Sequence, residues 1–315
     1  MTTKQIYKLA VEMGMKADLR GLASTKKYLA KTKEVYEKLD DEAKGEFDQE
    51  KFVNPYSDTR ILLDNNKKEI KKVLAGIDME GPELMLAKDM GDVDLVISHH
   101  PAGKALADLH SVMDLQAQVL AGYGVPINIA ESVMRPRISE VGRGVSPANH
   151  NRAVDIARVL KMDYMCTHTV ADNLGANFLS TLIKRKKPEF VGDLIKIIKT
   201  IPEYKESIKI NAGPKIFVGK SENSCGKIVI TEFTGGTSGA KEIYEKMAQV
   251  GIGTIVGMHM GEEHRKEAEK YHLNVVIAGH MASDSLGMNL FLDELLQKKV
   301  KVEVISGLIR VKRKK

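Results

Sequence analysis

Residues 94–101 read DLVISHHP, a short apolar run that ends in two histidines and a proline. The run Leu95–Ser98 is typical of a buried strand, because aliphatic and β-branched residues favour strands and no polar face interrupts it. Eight such runs alternate with helical patterns along the chain, and this alternation predicts an α/β protein. The predicted strands cover residues 95–98, 126–130, 164–167, 215–219, 227–233, 254–258, 274–278 and 302–307.

The first part of the chain has a different pattern. Residues 1–55 are charged, with apolar residues at helical spacing and no strand-like run, so we predict a helical extension of two or three amphipathic helices. This extension is either an appendage or a partner-binding arm. The alternation begins after Asn54-Pro55, and new elements start after Pro188. We therefore place a first α/β half at 56–190 and a second at 191–315.

Composition restricts the class of protein. The 315 residues are 43% hydrophobic and 29% charged, which indicates a folded chain of about two domains. Two cysteines exclude a disulfide scaffold and a cysteine-cluster zinc site, and the sequence carries no secretory signal and no membrane-length apolar run. We therefore expect a cytoplasmic protein without a membrane segment.

The basic excess is local. The net charge of +6 owes much to two KRKK segments, at 184–187 and 312–315. Such segments are usually solvated, and the absence of tryptophan with only 5% aromatic residues argues against a base-stacking surface. Nucleic-acid binding through these segments stays as the weakest alternative.

Five histidines follow four of the predicted strands or their neighbouring turns. They are His99, His100, His168, His259 and His280. Ligands of open α/β sheets bind outside the carboxyl ends of the strands, so side chains distant in sequence can meet there. The pattern predicts a shared site at this edge.

Two of these histidines precede an aspartate by four residues. If helices begin at His168 and His280, then Asp172 and Asp284 lie on the same helix faces as their histidines. Imidazole with carboxylate is the usual ligand set of zinc, iron or manganese, so the joint pattern favours a metal centre. Each element alone also has a structural interpretation, since Asp284 can cap its helix, Asp172 can be a turn residue and the histidine pair can be satisfied within the core.

The turn Thr234–Gly239 reads TGGTSG and precedes a predicted helix. Its amides can hold an anion at the start of that helix, although it lacks the lysine of a P-loop and the spacing of a dinucleotide fingerprint. A plain tight turn is the alternative.

These residues resemble the signatures of one family, the Nif-three-like dinuclear-metal proteins, also known as homologues of GTP cyclohydrolase 1 type 2. Residues 94–101 resemble its D-L-I-I-[ST]-H-H-P, His168 to Asp172 its H-T-x-x-D, and His280 to residue 284 its G-H-x-x-x-E. His259 lies at the family's histidine of T-G-D-x-x-x-H, and 234–239 at its glycine-rich G-G-S-G. The order matches over about residues 57–310.

The resemblance implies two similar α/β halves with mixed sheets that face each other, with the helical extension in front. It implies two divalent transition-metal ions, of zinc, iron or manganese. The implied ligands are His99, His100, Asp172, His280 and Asp284. His168 is then a further ligand or the catalytic proton shuttle. The family also implies a homohexamer with the centres facing an internal cavity, and a hydrolase acting on a nucleotide.

The sequence departs from the family at two functional positions. Position 284 is aspartate where the family has glutamate, and the acid of T-G-D is missing where Gly257 and Met258 stand. Metal-dependent hydrolysis of a nucleotide or related phosphorylated compound is the leading hypothesis. A non-enzymatic metal-binding regulator or scaffold is the alternative that these departures favour.

Overall fold

A computed structural model describes residues 1–67 and 69–313. Part of the basic segment predicted as a solvated tail, Lys314 and Lys315, lies outside the described residues. No helix in the described ranges combines the length and the apolar character needed to cross a membrane. The nine strands are β1 Thr59–Leu63, β2 Lys72–Gly76, β3 Leu95–Ser98, β4 Asp163–Thr167, β5 Lys215–Val218, β6 Lys227–Ile230, β7 Ile252–Gly257, β8 Asn274–Ile277 and β9 Lys301–Ile305 in these ranges.

Helices surround the strands. In the same ranges they are α1 Thr3–Ala17, α2 Leu22–Glu37, α3 Asp41–Glu46, α4 Gly81–Asp89, α5 Gly103–Ala107, α6 Asp114–Gly122, α7 Ile127–Val145, α8 Arg152–Leu160, α9 His168–Lys186, α10 Val191–Ile198, α11 Pro202–Lys209, α12 Ile243–Gln249, α13 Glu262–Lys270 and α14 His280–Gln297. Short 3₁₀ helices span Gln49–Phe52 and Leu109–Met113.

The strands form two mixed sheets, as predicted. The first has the order β1-β4-β3-β2-β9, and the second has the order β5-β8-β7-β6. Each is parallel except for one edge strand, β1 in the first sheet and β5 in the second. The last strand, β9, pairs with β2 of the first sheet although it follows the whole second sheet in sequence. The division of the chain into 56–190 and 191–315 stays a prediction.

Seven of the eight predicted strands are found, and one prediction is wrong. Residues 126–130, PINIA, form the start of α7, with Pro126 as its N-terminal cap residue. The apolar residues of this short run fit a period of two, but Ala130, Met134 and Val141 are buried at helical spacing further along. Strands β1 and β2 were not predicted.

Two long helices lie between the sheets. α9 and α14 pack closely against each other, and each contributes residues to the apolar cores on both sides. The close approach depends on Gly287, where a Cβ would overlap the carbonyl oxygen of Ala171. Both helices begin at the edge where β4 and β8 end, so their first turns meet there.

The N-terminal helices differ in how they pack. α1 belongs to the core of the first sheet through Ile6 and Ala10, and Thr3 donates a 2.6 Å hydrogen bond to Asp163 of β4. The expectation of an appendage is therefore wrong for α1. In α2, by contrast, only Thr25 is buried.

Candidate metal centre

The two histidines after β3 are held by the backbone that follows β2. His99 donates its backbone N–H to the oxygen of Gly76 at 2.8 Å, and His100 donates to that of Ile77 at 2.9 Å. These bonds extend the parallel pairing of β2 and β3 past the strand ends and fix both imidazoles. His99 is fully buried, and the His100 side chain is 27% exposed.

The two aspartates lie one helical turn after a histidine, as the spacing predicted. α9 begins at His168 and α14 at His280, so the first turn of each helix carries the histidine and the following turn the aspartate. Nε2 of His168 lies 3.9 Å from Oδ2 of Asp172, and Nε2 of His280 lies 3.5 Å from Oδ2 of Asp284.

The fold brings all six predicted site residues into one cluster. Nε2 of His99 lies 3.4 Å from Oδ1 of Asp172 and 3.5 Å from Oδ1 of Asp284, and Nε2 of His100 lies 3.6 Å from Oδ2 of Asp284. Three overlapping donor sets result, each with ligand atoms within 4.8 Å of one another. They are His99 with His100 and His168, His100 with His280 and Asp284, and His99 with Asp172 and Asp284.

Several buried atoms of the cluster have no hydrogen-bond partner. They are both ring nitrogens of His99, Oδ1 of Asp172 and both carboxylate oxygens of Asp284. A buried polar atom without a partner costs free energy, and such atoms are rare in folded proteins. A cation among them would satisfy these atoms, and the mixture of imidazole and carboxylate suits a transition metal. The cluster can therefore bind metal.

Two further carboxylates orient the imidazoles. Oδ1 of Asp78 lies 2.7 Å from Nδ1 of His100, and Oδ2 of Asp58 lies 2.8 Å from Nδ1 of His168. This leaves Nε2 of each ring facing the cluster, an arrangement typical of metal-binding histidines. Neither aspartate was predicted from the sequence. Asp78 follows the end of β2, so the strand-end rule would have found it had β2 been predicted.

The cluster shifts the pKa values of its members. Burial raises the pKa of Asp172 to about 7, although His168 and His99 lower it. Burial lowers the pKa of His168, but Asp172 and Asp58 raise it more, to about 9. Burial and the neighbouring His99 lower the pKa of His100 to about 4. Asp172 and His168 thus carry protons near neutral pH that a bound cation would displace.

The second aspartate behaves differently. Burial alone would raise the pKa of Asp284, but His99, His280 and His100 lower it below the usual aspartate value. The two buried carboxylates therefore differ in charge, with Asp284 as the anion of the cluster.

The fifth strand-end histidine also lies beside the cluster. The ring of His259 is 4.9 Å from that of His280, and its Nδ1 is 3.4 Å from Oγ of Ser238. A narrow cleft opens between the cluster and the glycine-rich turn. Its lining residues are His168, Asp172, Glu232, Phe233, Thr234, Gly236, Thr237, Met258, His259, His280 and Asp284.

The fold is that of known structures. The crystal structure of a NIF3 superfamily protein from Sphaerobacter thermophilus matches with a TM-score of 0.73 and 26% identity, over 80% of this chain and 92% of that chain. Reduced HcgD from Methanocaldococcus jannaschii matches with a TM-score of 0.48 and 18% identity, over 78% and 87%. A Bacillus cereus protein related to NIF3 matches with a TM-score of 0.41 and 12% identity, over 80% and 91%. No protein-family model and no curated protein matches the sequence.

Fold and cluster together define an α/β protein whose two mixed sheets direct histidines and aspartates to one shared edge. The chain resembles NIF3 superfamily proteins in its fold, and the resemblance predicted from its sequence is confirmed.

Proposed function

We propose that this chain binds two divalent transition-metal ions and uses them to hydrolyse a nucleotide or a related phosphorylated compound. The observation that supports two ions is the overlap of the donor sets. Two of the sets share Asp284 and differ in their other members. One contains His100, His280 and Asp284, and the other contains His99, Asp172 and Asp284. His99, His100, Asp172, His280 and Asp284 would hold the ions, whether zinc, iron or manganese.

Asp172 and Asp284 are the candidate bridges. Each is buried, and each faces His99 from a different helix at 3.4–3.5 Å. A carboxylate offers two oxygens, so one side chain can serve two neighbouring sites. Aspartate at 284 is one methylene shorter than glutamate, and the close packing of α9 and α14 brings it within this distance.

When bound, two such ions supply Lewis acidity and an activated water at neutral pH. The protein contributes the handling of the proton. Nδ1 of His168 faces Asp58 and its Nε2 faces the cluster, so the ring can take a proton at Nε2 while Asp58 stabilises the resulting cation. His168 lines the cleft beside His259, where a substrate would enter.

Turnover tests this proposal. Purified protein is reconstituted with manganese, zinc or iron and assayed against GTP and a panel of phosphoesters. We expect hydrolysis that Asp172→Asn abolishes and that Asp193→Asn, an exposed substitution on α10, leaves unchanged. Equal activity in the Asp172→Asn variant would contradict the mechanism.

The family resemblance also supports a homo-oligomer, and we propose the hexamer that it implies. Light scattering of the metal-loaded protein tests this directly. A mass of one or two chains at micromolar concentration would contradict it.

A non-enzymatic metalloprotein is the second candidate. The acid that the family carries before His259 is missing from this sequence, and α2 leaves almost all of its side chains outside the core. Such a protein would bind metal fully and show no turnover with any substrate of the panel. In that case the particle mass of the same samples is measured with and without metal. A mass that changes with metal would support a regulatory or scaffold role.

A further inference from the structure

The loop between β6 and α12 has an unusual run of unused hydrogen-bond donors. From Phe233 to Gly239, no backbone N–H has an acceptor among the described residues. The N–H of Glu232, directly before the run, also has no acceptor in the described ranges. The nearest paired amides are those of Thr231, which donates to the oxygen of Val256 at 3.2 Å, and Ala240, which donates to the sulfur of Met134 at 3.4 Å. Buried backbone amides without any acceptor are rare in proteins, and Phe233, Gly235 and Gly239 are buried, so this run points to a missing acceptor.

The carbonyl oxygens of the loop are held on one side. Gln116 of α6 donates to the oxygens of Gly235 and Thr237 at 2.8 and 2.6 Å, and Arg137 of α7 donates to that of Ser238 at 3.1 Å. In a planar trans peptide the C=O and the next N–H point in opposite directions. The amides that follow these three carbonyls therefore point away from α6 and α7.

The side away from α6 is the cleft of the metal centre. Thr234, Gly236 and Thr237 line that cleft together with the cluster. Gln116 lines an internal cavity behind the loop, which Thr234 and Gly239 also reach. Gly235 and Gly236 have φ values of 89° and 91°, and a Cβ at Gly235 would lie 2.9 Å from Gln116. Successive amides beside positive-φ residues form the concave donor arrays that bind anions.

The sequence predicted that the helix after residues 234–239 helps to hold an anion at its N-terminus, and this prediction is wrong. α12 begins only at Ile243 and has seven residues, so the anion site expected at its start is not formed by the helix. The donors come from the loop itself.

We propose that residues 233–239 form an oxyanion cradle for the phosphoryl group of the substrate. This inference rests on the proposed function, and it narrows the substrate to compounds with a phosphoryl group beside the scissile bond. The cleft has a volume of about 20 Å³, room for about one oxygen-sized atom, so a phosphoryl oxygen enters it and the rest of the substrate lies outside.

The charges of the cleft set the conditions of binding. Asp172, Asp284 and Glu232 line it and oppose an anion in the metal-free protein. The loop amides and bound cations together offset these carboxylates. Gln116 and Arg137 are positioning residues in this account, because they orient the peptides without touching the ligand.

Binding of inorganic phosphate tests the cradle without any turnover. Calorimetric titration compares the metal-loaded and metal-free wild type with Gln116→Met and Arg137→Ala, and metal content is measured in each sample. Gln116→Met keeps the side-chain volume and removes the donor. The matched controls are Gln118→Met, two residues along α6, and Arg143→Ala on α7, whose hydrogen bonds go to Arg20 and Ser139 and not to the loop.

We expect Gln116→Met to raise the Kd for phosphate about tenfold and Arg137→Ala to raise it by a smaller factor, because the peptides lose their fixed orientation. Metal content and both controls should stay at wild-type values. Equal phosphate affinity in all variants with full metal content would overturn the cradle while the metal centre stands. If the protein takes up no metal, the proposed function fails, and the metal-free titrations decide the cradle alone. Phosphate binding weakened by Gln116→Met then supports it, and no binding at millimolar phosphate overturns it.

Discussion

The buried pair of Asp58 and His168 makes a pH-dependent contribution to stability that can be worked out. The pKa of His168 is about 9 in the metal-free protein, against an ordinary value of 6.5. Such a shift stabilises the folded state by about 2–3 kcal/mol at pH 7 and contributes almost nothing at pH 10. Because the pKa is raised, this stability is complete below pH 6.5 and disappears as the pH rises through 9.

Asp58→Asn removes one of the three carboxylates that raise this pKa, the others being Asp172 and Asp284. Asp172 is the largest single cause of the rise, and Asp58 adds both a hydrogen bond and its charge, so we take the share of Asp58 as about 1 kcal/mol at pH 7. Asparagine keeps an acceptor for the hydroxyl of Thr169, which donates to Asp58 at 2.7 Å. We expect the variant to be less stable than wild type by about this amount at pH 7, with the gap closing by pH 10.

Urea unfolding of the metal-free protein at pH 7, 8, 9 and 10 measures the gap. Asp155→Asn, an exposed substitution on α8, is the matched control. Its difference in unfolding free energy from wild type should not close between pH 7 and pH 10. A gap for Asp58→Asn that stays constant or widens toward pH 10 would refute the assignment of the raised pKa to this pair.

Three further predictions concern the supports of the site. Arg20→Met leaves the carboxylate of Asp18 buried without its 2.8 Å partner and should cost about 3–5 kcal/mol in urea unfolding; a loss below about 1 kcal/mol would show that the pair is not desolvated. Gly287→Ala forces α14 away from Ala171 of α9 and should cost about 3 kcal/mol with a fall in bound metal. If the Gly287→Ala variant keeps the melting temperature and the metal content of the wild type, this role of the helix contact is ruled out. Burial raises the pKa of Cys166 to about 12, so a thiol reagent should modify it only after unfolding, and rapid labelling of the native protein would contradict its burial.

Much of the site could be predicted because strand ends converge by a general rule. Parallel strands of a sheet share one carboxyl edge, so His99 and His168 had to approach each other if their strands were real. His280 follows β8 of the second sheet and joins them because α14 packs against α9. The spacing to Asp172 and Asp284 then fixed the helix faces, since both helices begin at the histidine.

The remaining features depend on contacts that leave no local signal. The run at 126–130 is too short for its pattern to distinguish a strand from a helix. The helix forms because it buries Ala130 and Met134 against the rest of the fold. Asp58 lies 110 residues from His168 in sequence, so no spacing pattern connects them. The direction of the loop amides is likewise set by Gln116, more than a hundred residues away.

The most direct test of the account is elemental analysis of the purified protein beside the His99→Ala/His100→Ala variant. The account predicts about two transition-metal ions per chain in the wild type and their loss in the variant. No metal in the wild type after purification without chelators, or an equal content in the variant, would contradict the metal centre.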